Sequence, residues 1–200
     1  MRKAMKWMGT LFIGCGCGLL IWLYAGNAKA DNEQQEVIEA FKSIQVTEPL
    51  NETAESTSDG QAGSRDVSEV EGILSIPQID LKAPVAKGAD AQTLNRSLGA
   101  IEQMDPIGEV GGSYAIAGHQ ARVFGQFFNR LHEVEIGQEL SFETLEKNLT
   151  FEVFNIKIVR PHEVDVLKAR DGIAMLSLVT CYPAYSNDYR LVVQAKKIEE

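Results

Sequence analysis

Three side chains at the ends of apolar runs could together break a peptide bond through a covalent intermediate. Cys181 ends the run "LSLVTC", Arg190 opens the run "YRLVVQAKKI", and His119 ends the run "GGSYAIAGH". A thiol becomes a nucleophile when a base lies near it, and a permanently charged guanidinium can stabilise the oxyanion that the attack creates. This set of residue types is therefore compatible with cysteine acyl-transfer chemistry, provided that the fold brings the three together.

Each of these residues also has an ordinary structural explanation. Cys181 could be a small buried hydrophobe, His119 a satisfied polar residue at a strand end, and Arg190 a surface charge. Burial of Cys181 is disfavoured because the apolar run stops there and turn-forming residues follow. If the chain forms a hairpin between positions 181 and 190, those two side chains lie near each other across the pair. The other histidines, His132 and His162, are expected to be solvated.

The elements that must position these side chains are short strands. "GILSIPQIDLKAPV" alternates apolar and polar residues and indicates strands bent at Pro77 and Pro84. Residues 90–101 indicate one short helix that is capped by Asp90 and closed by Gly99. A hairpin around "LEKN" and two final strands bring the total to roughly seven or eight strands, the pattern of a small closed or nearly closed β-barrel.

The N terminus predicts membrane insertion. Positive charges at Arg2, Lys3 and Lys6 precede the uncharged residues 7–28, which would span about 33 Å as a helix at about 1.5 Å per residue. Positive charge before this segment and negative charge after it orient the rest of the chain outside. A cleaved signal peptide ending at "AKA" and a lipoprotein site at Cys15 are the alternatives. The apolar run exceeds the roughly 7–15 residues of a signal-peptide core, which favours a retained anchor.

Charge and composition divide the chain into three parts. Residues 1–28 form the expected signal anchor, and residues 29–70 an acidic flexible linker that has too few large apolar residues to fold. The net charge of −9 is concentrated there, since residues 31–71 hold eleven acids against two bases. Residues 71–200 form the expected catalytic domain. The chain offers no cluster of Lys and Arg, which excludes nucleic-acid binding.

The cysteines support a reactive thiol in the exported part. Cys15 and Cys17 fall within the expected membrane segment, so Cys181 is the lone thiol outside it. Exported domains normally pair their cysteines in disulfides, and a single one suggests a reactive thiol or an intermolecular bond.

These motifs resemble those of sortases, the membrane-anchored cysteine transpeptidases of Gram-positive bacteria. The resemblance rests on "AGH", "LVTC" and "YR" in that order, supported by "GILSIPQIDLKAPV" and "FGQFFNRLHEVEIGQEL", and covers about residues 72–197. Ser177 stands where the family usually has the first threonine of its cysteine motif, and Gln120 where many members have arginine. The fold implied is all-β, a closed eight-stranded barrel with one or two short helices, preceded by a transmembrane helix.

The resemblance also implies a reaction. Cys181 would attack the threonine carbonyl of a Leu-Pro-x-Thr-Gly-like sorting signal and form a thioester. His119 would protonate the leaving amine and later deprotonate the incoming one, and Arg190 would steady the oxyanion or position the signal. Ala117 and Val179 match motif positions that touch the signal. The partners implied are surface proteins carrying the signal and the amine of a cell-wall precursor.

Subtype and metal content follow less directly from the motifs. "TCYP" favours a class D-like enzyme, whereas the single N-terminal anchor also suits class A. Thr180, beside the nucleophile, would line the site. Some class A members bind calcium through acids before the histidine strand, but Glu102, Asp105 and Glu109 are interpreted as a solvated acidic loop, and no metal or cofactor is expected.

A hydrolytic cysteine peptidase, a catalytically inactive binding barrel and a lipoprotein-like adhesin are the competing hypotheses.

Overall fold

The computed structural model describes residues 38–39, 70–120 and 127–198, and eight strands in these ranges form a closed barrel. The strands are β1 (Val70–Ile76), β2 (Leu81–Lys87), β3 (Leu98–Ala100), β4 (Ser113–Ala117), β5 (Glu139–Glu143), β6 (Asn148–Val159), β7 (Met175–Tyr182) and β8 (Tyr189–Lys197). One short helix, α1 (Ala91–Leu94), and three 3₁₀ turns (Pro77–Ile79, Leu131–Glu133 and Val164–Leu167) connect them. The predicted all-β, eight-stranded architecture is confirmed.

Strand order explains how distant segments meet. The order around the barrel is β1-β2-β3-β4-β7-β8-β6-β5, and pairing of β5 with β1 closes it. The β2–β3 and β4–β7 pairs are parallel, and the others are antiparallel. Because β7 lies between β4 and β8, the segment ending in His119 and the segments carrying Cys181 and Arg190 become neighbours.

The interior of the barrel is filled by alternate residues of the strands, as the two-residue period of a strand requires. The core cluster includes Leu74, Ile76, Ile116, Phe142, Phe151, Leu176, Leu178, Leu191, Val193 and Ala195. Full burial of each large apolar side chain stabilises the fold by about 1.5–3 kcal/mol. Pro84 lies inside β2 but before the segment that pairs with β3, so its missing N–H interrupts no ladder on that side.

The short helix differs from the sequence prediction. Asp90 caps it as expected, since its carboxylate accepts hydrogen bonds from the N–H groups of Gln92 (2.7 Å) and Thr93 (3.0 Å). These hydrogen bonds hold the pKa of Asp90 below its usual value. The predicted continuation to residue 101 was wrong, because Leu98–Ala100 forms β3. Gly99 is a strand residue there, and a Cβ at that position would lie 2.3 Å from the carbonyl oxygen of Gly88.

The phenol of Tyr114 links the core to the start of β1 through a hydrogen bond. Tyr114 is buried in β4, contacts Phe142 edge to face, and donates its phenol to the carboxylate of Glu71. Burial, together with this carboxylate, raises the pKa of Tyr114 above its usual range. Nearby, Asp105 accepts a hydrogen bond from the N–H of Ser113 at 2.9 Å. Across the described ranges, no group of three acidic, histidine or cysteine side chains is arranged to hold a metal ion.

The N-terminal predictions fall largely outside the described residues. Residues 1–28, the expected anchor, are among those not described. Within the described part, no helix combines the length and apolar character needed to cross a bilayer. Ile38 and Glu39 are helical, and buried Ile38 clusters with Ile73 and Val70 of β1.

Candidate active site

Cys181 and Arg190 lie opposite each other on neighbouring strands. The antiparallel register of β7 and β8 pairs these two residues directly. Both side chains are half-buried. The Nη1 group of Arg190 donates hydrogen bonds to the carbonyl oxygens of Asn187 (3.1 Å) and Tyr189 (2.9 Å). The guanidinium is therefore held at the end of the hairpin that carries the thiol, by two neutral carbonyl groups.

His119 is brought to the same level by the parallel pairing of β4 with β7. Ala117 pairs with Val179, and the N–H of Gly118 donates to the carbonyl of Val179 at 3.0 Å. His119 follows Ala117 by two residues, as Cys181 follows Val179, so parallel strands carry both to one level of the barrel. The imidazole is exposed. His119, Cys181 and Arg190 thus form a row across three adjacent strand ends.

The backbone that carries His119 is fixed by its neighbours. Thr180 is 3% exposed, and its hydroxyl donates to the carbonyl of Gly118 at 2.9 Å. The N–H of Phe128 donates to the carbonyl of His119 at 3.2 Å. A Cβ on Gly118 would lie 2.6 Å from side-chain atoms of both Leu98 and Phe128, so only glycine allows this close approach. These contacts therefore fix the position of the backbone that carries His119.

Two apolar side chains, Ala117 and Val179, lie next to this row on the outer face of the barrel and are called the apolar strip below. Ala117 and Val179 are both half-buried and lie side by side. The residues directly before them, Ile116 and Leu178, belong to the core. Because side chains alternate between the two faces of a strand, Ala117 and Val179 point outward, like Cys181. Thr180, in contrast, points inward. Ala117 and Val179 therefore present apolar surface on the outer face near Cys181, whereas the hydroxyl of Thr180 contacts the backbone carbonyl of Gly118 from the inner side.

Gln120 is a contributor to the site that the sequence interpretation noticed only as a departure from a motif. In the orientation that satisfies its hydrogen bonding, its amide nitrogen donates to the carbonyl oxygens of Cys181 and Pro183 at 3.3 Å. Gln120 thereby joins the segment after β4 to the end of β7. Its position directly after His119 in the sequence was the feature that could have indicated a role in the site.

The two remaining histidines lie elsewhere. His132 is exposed in the 3₁₀ turn Leu131–Glu133. His162 is exposed in the loop between β6 and β7 and lines a cavity of about 540 Å³ with Lys157 and Val159. Neither belongs to the row that contains the thiol.

The chain matches known proteins over this whole region. The model of the family described as "Sortase domain" matches residues 74–198. The chain is 27% identical over 185 residues to Sortase D of Bacillus subtilis, covering 90% of each chain, and 28% identical over 187 residues to Sortase A of Staphylococcus aureus, covering 88% of each. Among solved structures, sortase C-1 of Actinomyces oris superposes with a TM-score of 0.64 at 27% identity, over 68% of this chain and 77% of that one.

Proposed function

Since this chain belongs to the sortase family, we propose that Cys181, His119 and Arg190 are the residues that carry out its reaction. Membership makes the protein a cysteine transpeptidase that acts on surface proteins. The observation that supports the assignment of residues is the row itself. The register pairs Cys181 with Arg190, and the parallel β4–β7 pairing brings His119 to the same level.

In the first half-reaction the Cys181 thiolate attacks the threonine carbonyl carbon of a Leu-Pro-x-Thr-Gly-like signal. The carbonyl oxygen becomes an oxyanion, and the Arg190 guanidinium, released from the Asn187 and Tyr189 carbonyls, stabilises it. The threonine–glycine C–N bond then breaks. His119 donates a proton to the departing glycine amine, which leaves a thioester on Cys181.

In the second half-reaction an amine replaces the glycine. A free amine of a cell-wall precursor attacks the thioester carbonyl, and His119 accepts a proton from its nitrogen. The C–S bond breaks, the thiolate of Cys181 is restored, and a new amide joins the surface protein to the wall. The exposed position of His119 suits it to serve a departing and then an arriving amine at one place.

Ala117 and Val179 form the floor on which the signal lies upstream of the scissile bond. Both are half-buried, apolar and aligned with Cys181 along the outer face. Thr180 is assigned a positioning role, because its buried hydroxyl contacts the carbonyl of Gly118.

For the rest of the chain we propose a single-pass membrane protein. Residues 1–28 anchor it, residues 29–70 act as a linker, and residues 71–200 form an extracellular catalytic domain. The run of apolar residues after Arg2, Lys3 and Lys6 supports the anchor. Which signal peptides the enzyme cleaves would decide between class A and a class D-like enzyme.

The test is the intact mass of the full-length protein in detergent micelles after brief mixing with a Leu-Pro-x-Thr-Gly peptide. A mass increase equal to the peptide truncated after threonine less one water is expected, because the thioester carries only that acyl fragment. Cys181→Ala is the control and must show no increase. Adding an amine acceptor should then convert the adduct into a peptide–amine product.

Two outcomes would contradict the proposal. An unmodified thiol in a protein that still binds signal peptides would indicate a catalytically inactive binding barrel. An adduct that yields hydrolysis products alone, with every amine tested, would indicate that wall-precursor amines are not its acceptors.

A further inference from the structure

The strand pairing that aligns the three site residues differs between the two pairs of neighbours. Cys181 and Arg190 are direct partners in the β7–β8 register, so the ladder itself fixes their separation. The β4–β7 register ends at Ala117 and Val179, two residues before His119 and Cys181. The ladder therefore does not set the separation of the histidine from the thiol, and other contacts must hold it.

Two side chains continue the connection between the segments beyond that register. Before the histidine, the hydroxyl of Thr180 donates to the carbonyl oxygen of Gly118 at 2.9 Å. After the histidine, the amide nitrogen of Gln120, in the orientation described above, donates to the carbonyl oxygens of Cys181 and Pro183 at 3.3 Å. The histidine thus lies between two side-chain connections, and the second of them holds the backbone of the nucleophile itself.

The partners of Gln120 require a side chain that donates hydrogen bonds. Both are backbone carbonyl oxygens, and the amide of glutamine has two N–H donors to offer them. A carboxylate of the same shape has acceptors only, and an aliphatic side chain has neither. Gln120 is half-buried, so water competes for these carbonyls less freely than at an open surface. Donor capacity, rather than size, is the property that connects position 120 to the end of β7.

We propose that Gln120 is a positioning residue that sets the separation of His119 from Cys181 and thereby aligns the imidazole with the departing amine. This inference rests on the proposed function for its reaction. The hydrogen bonds of Gln120 reach backbone carbonyls rather than the side chains of the apolar strip, on which the signal would lie. Loss of the Gln120 amide should therefore slow proton delivery without weakening the binding of the signal.

The experiment measures formation of the acyl-enzyme by rapid-quench mass spectrometry, with the full-length protein in detergent micelles. Each variant receives a Leu-Pro-x-Thr-Gly peptide and a second peptide in which an ester replaces the threonine–glycine amide. An alcohol leaves the tetrahedral intermediate with much less help from a general acid than an amine does. The ratio of the two acylation rates therefore reports on the histidine, and His119→Ala gives the ratio for its complete loss.

Gln120→Leu keeps the approximate size of the side chain and removes its donors. The saturating acylation rate on the amide peptide should fall about tenfold, because small misplacements of a catalytic group carry losses of this order or larger. The rate on the ester peptide, and the concentration of either peptide at half-saturation, should stay within about twofold. Hydrogen exchange at residues 118–120 and 181–183 should accelerate, because the two segments are no longer joined.

Two further variants test the chemistry at position 120. Gln120→Glu keeps the shape but directs carboxylate oxygens at two carbonyl oxygens, and should lower the amide rate by more than Gln120→Leu does. Gln120→Arg restores N–H donors and should recover most of the amide rate. The matched control is Gln78→Leu, which removes a glutamine bond to the carbonyl of Glu139 (3.1 Å) in the 3₁₀ turn Pro77–Ile79 and should leave both rates unchanged.

Two results would overturn the inference. An amide rate within about twofold of the wild type in both Gln120→Leu and Gln120→Glu would show that alignment does not depend on these bonds. Equal losses on the amide and ester peptides would show that Gln120 acts on the whole site rather than through His119. If Gln120→Leu does not fold, Gln120→Glu decides between these results, since it keeps both size and polarity.

Failure of the proposed function would be recognised separately. In that case the wild type forms no acyl-enzyme with any signal peptide, amide or ester. Hydrogen exchange of the wild type and Gln120→Leu then decides alone whether Gln120 joins the two segments, and unchanged exchange would overturn the connection.

Discussion

Two ends of one sheet face show how the barrel separates chemistry from stability. At the open end, His119 is exposed and Cys181 and Arg190 are half-buried. At the covered end, Ser113 and Gln194 are buried and bonded to the β6–β7 loop. Both ends are built on β4, β7 and β8, so the difference lies in what covers the strands rather than in the strands themselves.

The difference shows that the polar groups at each end have different partners. At the covered end the side chains of Ser113 and Gln194 are bonded to carbonyl oxygens of the β6–β7 loop, and these hydrogen bonds fix the loop. At the open end, within the described residues, the Arg190 guanidinium is bonded to two carbonyls of its own hairpin, and the oxyanion of the proposed reaction would replace these partners. A site that must bind charge in the transition state needs such replaceable partners.

The largest effect is expected from removing the charge at the open end. Arg190→Ala should lower kcat by about 10²-fold or more, the usual cost of losing an oxyanion stabiliser. Arg190→Lys should restore little, because a point charge cannot reproduce the planar guanidinium. Thioester formation rates by rapid-quench mass spectrometry check this, with thermal unfolding as the control for folding. Near-normal turnover in Arg190→Ala would show that the third residue is misassigned.

The next effect should come from the support behind His119. Gly118→Ala places a methyl group 2.6 Å from atoms of Leu98 and Phe128, and such overpacking typically costs about 1–3 kcal/mol. Turnover should fall as well, since His119 must shift with its backbone. Denaturant unfolding and turnover measure the two losses. Ala115→Gly, in the adjoining strand β4, makes the reverse change by removing a methyl group and serves for comparison; its turnover should be retained. A fully stable and active Gly118→Ala would show that the site tolerates movement there.

A smaller effect of opposite sign is expected at the covered end. The hydroxyl of Ser177 is buried without a hydrogen-bond partner among the described residues. Ser177→Ala removes an unsatisfied polar atom and should raise the free energy of unfolding by about 1 kcal/mol. Turnover should stay within about twofold. Denaturant titration checks the stability. A clear destabilisation would mean that the hydroxyl has a partner and that the covered end is wetter than its burial suggests.

The smallest effects are expected for the histidines outside the row. His132→Ala and His162→Ala should each change kcat by less than about twofold, since both side chains are exposed and lie on elements outside the row that contains the thiol. His119→Ala, measured in parallel, should be strongly impaired. A large loss in either exposed variant would mean that His119 is not the general acid.

The sequence predicted the local parts of this arrangement better than the non-local ones. The Cys181–Arg190 pair follows from a short hairpin, which turn-forming residues indicate. The place of His119 depends on a parallel pairing with β7, for which no local signal exists, and it came from the family resemblance. Gly99 was assigned to a helix end because its tight contact with Gly88 is a tertiary feature. Gln194 could not be singled out, since its partners lie on a loop and on another strand.

The parallel β4–β7 pair has a consequence for how the enzyme comes into being. The hydrogen-bonded residues Gly118 and Thr180 are 62 residues apart in the chain, and a parallel pair cannot form as a local hairpin. Such distant pairings are slow steps in folding. The strand that carries the arginine is also the last of the eight. Cys181 meets Arg190 within the local β7–β8 hairpin, but His119 reaches the same level only through the long-range β4–β7 pairing, so the three residues come together no earlier than that slow step.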